Sequence, residues 1–311
     1  MKKKSFLLYY LLTFLLLGLI PLFALIFNNG SLDFDQAALR ATEKTGVEWT
    51  SNLLIVFRLA LAEPILLLIV LGSAVPAFAA IITLIFLDRE NKWPKFWCRL
   101  IPLKNENWLG GIKIYFQIFI VLILGLIFTY FIRQFTGGNY HWPSDLFSLN
   151  FISAILVVAF LDQGAIFEEL GWRGFATPEL QDKGMNPLKV AVLIGICWGL
   201  WHLPRDITTG VIERLGVLSY LFLYLPSFLL GTVSVSIIAS YYMNKFDDSI
   251  IPAIIIHGIT NDSIGLSGEA SIIEALTPYH QITKAIPFTI IALILLKYSG
   301  SMLNWNENNV E

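Results

Sequence analysis

Long apolar runs recur along this chain, and each is long enough to cross a lipid bilayer as a helix. A membrane-spanning helix needs about 20 mostly apolar residues. We predict eight such helices, at 5–27, 64–87, 114–132, 148–170, 187–203, 217–241, 250–266 and 285–298. The sequence therefore predicts an all-α, polytopic membrane protein with about eight transmembrane helices.

Charge content supports the same fold class. Only 14% of the residues are charged, against about 25% in a soluble domain, and the mean hydropathy is +0.68. The first apolar run follows the basic start "MKKK" and is longer than the apolar part of a signal peptide. No small-residue cleavage site follows this run, so we interpret it as an uncleaved first span.

The distribution of basic residues predicts the orientation of the spans. If the N-terminus is cytoplasmic, eight spans place two thirds of the 21 lysines and arginines on the cytoplasmic side, as the positive-inside rule requires. Both termini are then cytoplasmic. The short N-terminal lysine cluster is typical of a bacterial protein, which predicts a multi-pass protein of the bacterial cytoplasmic membrane. The bilayer is one expected partner, and no basic patch with interleaved aromatics indicates nucleic acid.

Two glutamates and an arginine end one of the apolar runs, in the stretch "FEELGWRGF" at 167–175. Glu169 and Arg173 are four residues apart, so they share a helix face and are expected to form an ion pair. Glu168 points about 100° away from Glu169, beside the small residues Gly164 and Ala165. We interpret Glu168 as free for chemistry. The alternative is that all three charges form a solvated helix end at the membrane surface.

Two histidines also lie in predicted spans, whereas His141 and His280 lie in predicted outer loops. In "ICWGLWHLP", Trp198 precedes His202 by one turn and can pack beneath the imidazole. In "IPAIIIHGITND", Asn261 follows His257 by one turn on the same face. A single intramembrane histidine usually forms an interhelical hydrogen bond. Two histidines together with a carboxylate and an amide favour a functional site.

These side chains have the chemistry needed to hydrolyse an amide. A carboxylate takes a proton from water, an imidazole holds that water or shuttles the proton, and His257 and Asn261 can donate to one developing oxyanion. The alternative is a metal site in which Glu168, His202 and His257 bind zinc. The chain contains no H-E-x-x-H motif, so the sequence does not require zinc.

The three stretches resemble the motifs of the CPBP family of intramembrane proteases, which includes type II CAAX prenyl endopeptidases and bacteriocin-processing and immunity proteins. The family pattern is E-E-x-x-x-R, F-x-x-x-H and H-x-x-x-N. This chain has Glu168-Glu169 followed by Arg173, Trp198 followed by His202, and His257 followed by Asn261, in the same order. The resemblance covers about 165–265. The chain departs from the pattern at Trp198, where the family usually has Phe.

The resemblance implies an intramembrane endopeptidase whose site opens to the cytoplasm. Glu168 would activate water with help from His202, and His257 and Asn261 would form the oxyanion hole. Glu169, Arg173 and Trp198 would have supporting roles. Residues 141–300 would be the protease core, 1–140 the N-terminal transmembrane helices with a cytoplasmic loop, and no separate soluble domain is expected.

The expected mechanism is the glutamate type without a cofactor, with zinc as the alternative, and the expected partner is a membrane-associated peptide or protein substrate. A prenylated substrate is not favoured, because bacteria generally lack protein prenylation. Two other classes stay open. One is a non-catalytic scaffold or bacteriocin-immunity protein of the same fold, and the other is a proton-coupled transporter.

The predicted boundaries conflict with the predicted site. They place Glu168 near the inner surface, His202 about 22 Å deep and His257 about 10 Å deep, at about 1.5 Å per helical residue. For the three side chains to meet, the fourth span must continue further, to about Glu179. Two further charges are less informative. Arg205 and Asp206 are interpreted as a loop ion pair, and Asp162 has no partner that the sequence identifies.

Overall fold

The structure is a computed structural model that describes residues 4–27, 34–87, 92–102, 108–137, 148–246, 248–261 and 275–305. Within these ranges the chain is all-α and contains no strand, which confirms the predicted fold class. The first half contains α1 (Lys4–Phe27), α2 (Phe34–Thr45), α3 (Leu53–Ala62), a 3₁₀ turn (Pro64–Leu66), α4 (Leu67–Leu87), α5 (Lys92–Cys98) and α6 (Trp108–Phe135).

The second half begins with a chain of short helices and ends with long ones. It contains α7 (Leu149–Leu161), α8 (Gln163–Gly171), a π-helical turn (Trp172–Ala176), α9 (Thr177–Gln181), α10 (Pro187–Trp201), α11 (Leu203–Thr208), α12 (Val211–Leu215), α13 (Val217–Ser219), a second π-helical turn (Tyr220–Tyr224), α14 (Leu225–Lys245), α15 (Ile251–Asn261) and α16 (Pro278–Ser299).

Five helical segments among the described residues are long and apolar enough to cross a membrane: Pro64–Phe86, Trp108–Phe135, Pro187–Thr208, Val217–Lys245 and Pro278–Met302. Shorter apolar helices are Ser5–Ile20, Leu53–Ala62, Leu149–Leu161 and Ile251–Asn261. The outer face of α6 exposes large apolar side chains, including Phe116, Leu124 and Phe128, as a lipid-facing surface requires. The chain is a multi-pass membrane protein.

Several helix ends differ from the predicted spans. α6 extends beyond 114–132 at both ends, and α16 begins seven residues before the predicted 285. A capping bond explains the early start of α16, because the side chain of Thr277 accepts from the backbone N–H of His280. His280 was wrongly placed in a loop, since it lies buried in the first turn of α16. His141 and residues 262–266 lie outside the described residues.

The predicted span 148–170 is interrupted at Asp162, and its helical path continues beyond residue 170. Asp162 has an extended backbone, pairs with Asn52 in an isolated bridge and caps α8 through its side chain. Beyond α8, the π-helical turn and α9 extend the helical path to Gln181. The helical path therefore passes Glu179, the residue to which the segment had to extend for the three side chains to meet.

This longer path lets candidate side chains meet that the predicted boundaries kept apart. α10 starts only six residues after Gln181 and packs against α9 and the π-helical turn, and Trp198 reaches Glu168. α15 does not start at the protein surface, because Ser249 and Ile250 are fully buried. The predicted span boundaries, which kept these side chains apart, were therefore wrong.

Glycine permits the close approach that brings α15 to the site. A Cβ atom at Gly258 would lie only 2.4 Å from the carbonyl oxygen of Val158 on α7. α10 approaches α14 in the same way, because a Cβ at Gly195 would lie 2.6 Å from Cα of Val233. These contacts need small residues, as is usual between membrane helices.

Candidate active site

Glu168 lies on α8 and is only 6% exposed. Its Oε2 atom accepts a hydrogen bond from Nε1 of Trp198 at 2.7 Å. The other carboxylate oxygen, Oε1, faces Gly164. A Cβ atom added to Gly164 would lie 3.5 Å from Glu168 Oε1 and 3.8 Å from Asn261 Nδ2. The absence of a side chain at Gly164 thus leaves space next to the carboxylate. The hydrogen bond from Trp198 to Glu168 was not predicted from the sequence.

Glu169 joins α8 to α15. Its Oε1 atom accepts from Nη1 of Arg173 at 2.8 Å, which is the predicted ion pair, and it also contacts Nδ1 of His257 at 2.9 Å. All three side chains are buried. A carboxylate oxygen only accepts, so Nδ1 of His257 carries the hydrogen in this contact. Glu169 therefore fixes the ring of His257, with Nε2 as the nitrogen that this bond leaves available.

His202 caps the C-terminal end of α10, and its ring is fixed in the same way. Nδ1 lies 2.8 Å from the carbonyl oxygen of Trp198. Because a carbonyl only accepts, Nδ1 carries a hydrogen, and Nε2 of the neutral ring has the lone pair. The ring packs edge-on against Phe228 and Trp201, with centroids 5.3 and 5.1 Å away.

Trp198 contacts each of the other groups. It donates to Glu168, its ring packs edge-on against His257 with centroids 4.8 Å apart, and the guanidinium of Arg173 lies 4.9 Å from the ring centroid. Its ring centroid is 6.0 Å from that of His202. The expected contact beneath His202 is present, and Trp198 also holds the carboxylate and the second imidazole.

Asn261 is the last residue of α15 and is exposed. Its Nδ2 atom donates to Oδ1 of Asp162 at 3.2 Å, and the same oxygen accepts from the backbone N–H of Ala165 at 2.7 Å. Asp162 is fully buried. One carboxylate thus caps the helix that carries Glu168 and also orients the amide of Asn261.

A cavity of about 180 Å³ lies between the end of α10 and the helices α14, α15 and α16. Trp198, His202, His257 and Asn261 line this cavity. Glu168 is not one of the lining residues and lies behind the indole of Trp198. The structure therefore brings all four candidate catalytic side chains together, three of them at the cavity wall and the carboxylate directly behind it.

Comparison with known proteins identifies the family. Residues 147–262 match the model of the family described as Type II CAAX prenyl endopeptidase Rce1-like. The chain is also 30% identical over 220 residues to CAAX prenyl protease 2 of Methanococcus maripaludis, which covers 68% of this chain and 77% of that protein. The chain belongs to this CAAX protease family.

The match to the family model starts just before α7 and ends just after α15. It therefore contains every candidate residue named from the sequence: Glu168, Glu169, Arg173, Trp198, His202, His257 and Asn261. The protein is a multi-pass membrane member of a protease family. α16, which forms one wall of the cavity, lies outside the matched range.

The alternative metal ligands were Glu168, His202 and His257. In the part of the chain that the structure describes, no three His, Cys, Asp or Glu side chains form a group that fits a metal ion. Each of these three groups already has a hydrogen-bond partner. Glu168 accepts from Trp198 Nε1, Nδ1 of His202 donates to the Trp198 carbonyl, and Nδ1 of His257 donates to Glu169.

Two carboxylates, Asp162 and Glu179, have partners that were not identified from the sequence. Asp162 has a recognisable signal, because aspartate is a preferred N-cap and α8 follows it directly. Glu179 on α9 pairs with Lys92 of α5 at 2.8 Å, with Lys183 and with the hydroxyl of Ser5. Burial raises the pKa of the Glu179 carboxyl, but the hydrogen bonds that it accepts outweigh burial and hold this pKa below its usual value.

Proposed function

We propose that this protein is an intramembrane endopeptidase of the cell membrane that hydrolyses a peptide bond in a membrane-associated peptide or protein. One observation carries the proposal. Two imidazoles and an amide face one cavity, and a buried carboxylate lies directly behind them. These groups match the requirements of amide hydrolysis: a base for water and donors for the oxyanion.

In the proposed reaction Glu168 is the base for the attacking water. Oε2 is occupied by the indole N–H of Trp198, so Oε1, beside Gly164, takes the proton. The protonated carboxyl then gives this proton to the amine nitrogen as the C–N bond of the tetrahedral intermediate breaks. His202 assists through Nε2, which has a lone pair because Nδ1–H donates to a backbone carbonyl. Nε2 accepts a hydrogen bond from the water and orients it towards the scissile carbonyl.

His257 and Asn261 stabilise the oxyanion of the tetrahedral intermediate. Nδ1–H of His257 already donates to Glu169. When the ring carries a second proton, Nε2–H donates to the oxyanion. The Glu169 carboxylate, at 2.9 Å, is the counter-ion for that charge. Asn261 uses one amide hydrogen for Asp162 and has a second for the oxyanion.

The proposed reaction uses no cofactor, and the proposed substrate class is broad. The name of the Methanococcus relative states prenylated CAAX substrates for that protein. Peptides with and without a farnesyl group therefore belong in the first assay. Residues 141–300 form the proposed protease core, with the N-terminus and the C-terminus in the cytoplasm.

The deciding experiment measures peptide cleavage by the purified full-length protein in nanodiscs. Wild type is compared with Glu168→Gln, which keeps an acceptor for Trp198, and with Glu213→Gln, an exposed glutamate on α12. Each is assayed with farnesylated and unmodified peptides, with and without a chelator. We expect Glu168→Gln to lower kcat at least about 100-fold, and Glu213→Gln and the chelator to leave it unchanged.

Three results would contradict this proposal. Loss of cleavage with chelator, restored by zinc, would make Glu168, His202 and His257 metal ligands. If no peptide is cleaved, while Glu168→Gln still complements a deletion strain, the protein is a non-catalytic scaffold or immunity protein. Proton-dependent solute uptake into vesicles would instead indicate a transporter.

A further inference from the structure

The cavity beside the two histidines has a cationic lining. Its lining residues include Arg205 and Lys284, and among the described residues no aspartate or glutamate lines it. Most of the remaining wall is apolar and includes Phe228, Val235 and Phe288. A negatively charged group entering this space would lose water and would need a cation as its partner.

Arg205 already has such a partner. Its guanidinium donates two hydrogen bonds to Oδ1 of Asp206, at 2.7 and 2.9 Å, and lies 5.3 Å from the ring centroid of Phe228. Asp206 also accepts from the hydroxyl of Tyr220 at 2.9 Å. The predicted ion pair is therefore present, although it lies on α11 and not in a loop. The charge of Arg205 is largely neutralised within the protein.

Lys284 differs from Arg205 in this respect. It lies on the cavity face of α16, in register with Gln281, Ala285 and Phe288. No carboxylate among the described residues forms an ion pair with it. Thr283, its neighbour on the other face, donates and accepts within the bundle and contacts Arg133. Within the ranges that the structure describes, Lys284 thus places a positive charge without a carboxylate partner in the same cavity as His202 and His257.

We propose that Lys284 is a specificity-determining residue that binds a carboxylate of the substrate. The inference rests on the proposed function and adds to it a chemical requirement on the substrate. Two groups of a peptide supply this chemistry: a free C-terminus and the side chain of aspartate or glutamate. In both cases the carboxylate and the scissile bond of the substrate would occupy the same cavity.

The test measures binding, so that it does not depend on cleavage. The probes are fluorescein-labelled hexapeptides of one apolar sequence. One pair differs only in the C-terminus, which is a free carboxylate or an amide. In the second pair both peptides end in an amide, and one internal residue is glutamate or glutamine. Dissociation constants are measured by anisotropy with the full-length protein, once in zwitterionic nanodiscs and once in nanodiscs that contain anionic lipid. The variants are Lys284→Gln, Lys284→Arg and, as matched control on the exposed end of the same helix, Lys297→Gln.

We expect wild type to bind one carboxylate peptide about 10- to 100-fold more tightly than its neutral partner, as a charge-assisted hydrogen bond allows. Lys284→Gln should remove this preference, while Lys284→Arg and Lys297→Gln should retain it. Preference for the free C-terminus over the amide identifies the terminal carboxylate, and preference for glutamate over glutamine identifies a side chain.

Three results would overturn the inference. In the first, wild type binds charged and neutral peptides equally. In the second, Lys284→Gln keeps the preference for the carboxylate peptide. In the third, Lys284→Gln would alter binding only in nanodiscs with anionic lipid, which would assign the lysine to headgroups. A preference that depends on Lys284 without any cleavage would contradict the proposed function alone. Cleavage without such a preference would contradict this inference alone.

Discussion

Trp198 is the residue whose role the structure changes most. Trp198 occupies the position at which the CPBP family usually has Phe. An aromatic ring at this position was expected only to support His202. Its indole N–H instead donates to the buried carboxylate of Glu168 at 2.7 Å. A phenyl ring would keep the packing against His257 and would lose this bond.

We expect Trp198→Phe to cost stability more than activity. The variant leaves a buried carboxylate oxygen without its donor, which costs about 1.5 to 3 kcal/mol. Cleavage should persist, because the family pattern accepts Phe here. Thermal unfolding in detergent and kcat/KM measure the two effects. An unchanged melting temperature would show that the hydrogen bond from Trp198 contributes little.

Glu169 is a positioning residue for His257 under the proposed mechanism. Glu169→Gln keeps the size of the side chain and removes the charge opposite the imidazole. We expect kcat to fall by at least about 10-fold with KM nearly unchanged, because an oriented, charged imidazole is needed only in the transition state. Steady-state kinetics give the result. An increase in KM alone would place Glu169 in substrate binding instead.

At the scale of helices, close approach through glycine sets the position of the second imidazole. His257 reaches Glu169 because the adjacent Gly258 lets α15 lie against the Val158 carbonyl. This requirement is strict, because no L side chain fits at 2.4 Å from a backbone oxygen.

Gly258→Ala and Gly18→Ala should therefore have opposite effects. Both glycines are helical, but Gly18 on α1 has nothing within 4 Å of the Cβ position. We expect Gly258→Ala to destabilise the protein by about 1 to 3 kcal/mol or more and to abolish cleavage. Gly18→Ala should be neutral or stabilising by up to about 1 kcal/mol. Similar unfolding temperatures for the two variants would show that α15 moves away without cost.

Glu179 connects α9 to α1 and α5, and this connection should depend on pH. Its pKa is lower in the folded protein than its ordinary value of 4.5. Its contribution to stability is therefore complete above about pH 4.5 and is lost as the pH falls through the lower folded value. In unfolding measurements between pH 7 and pH 3, Glu179→Gln should be less stable than wild type at pH 7, and the difference should narrow on acidification. A constant difference would contradict this.

At the scale of the whole molecule, the orientation in the membrane is a prediction that the two cysteines test directly. Cys98 at the end of α5 is exposed, whereas Cys197 in α10 is buried. The predicted topology places Cys98 in the cytoplasm. A membrane-impermeant maleimide should therefore label Cys98 only after the cells are permeabilised.

Two variants control this measurement. Cys98→Ser should abolish labelling, since Cys197 is buried. Thr136→Cys in the Cys98→Ser background places an exposed thiol just beyond α6, on the predicted outer side, and should be labelled in intact cells. Labelling of Cys98 in intact cells would invert the topology.

The sequence alone determined the fold class and predicted the residues of the candidate site. Apolar runs of about 20 residues permit only helices in a bilayer, and charged or imidazole side chains within such runs are too costly to be incidental. Glu168, Glu169, Arg173, His202, His257 and Asn261 were identified in this way. The ion pair of Glu169 with Arg173 followed from helical spacing alone.

Only the tertiary structure decided how these side chains pair across helices. The contacts of Glu168 with Trp198 and of Glu169 with His257 join residues 30 and 88 positions apart. The break at Asp162 and the continuation to Gln181 were also visible only in the structure. Hydropathy reports the environment of each segment but not its neighbour or its depth. Helical periodicity relates a residue only to others within a few turns of the same helix. Partners on different helices depend on how closely the backbones approach, and glycines such as Gly258 set that distance.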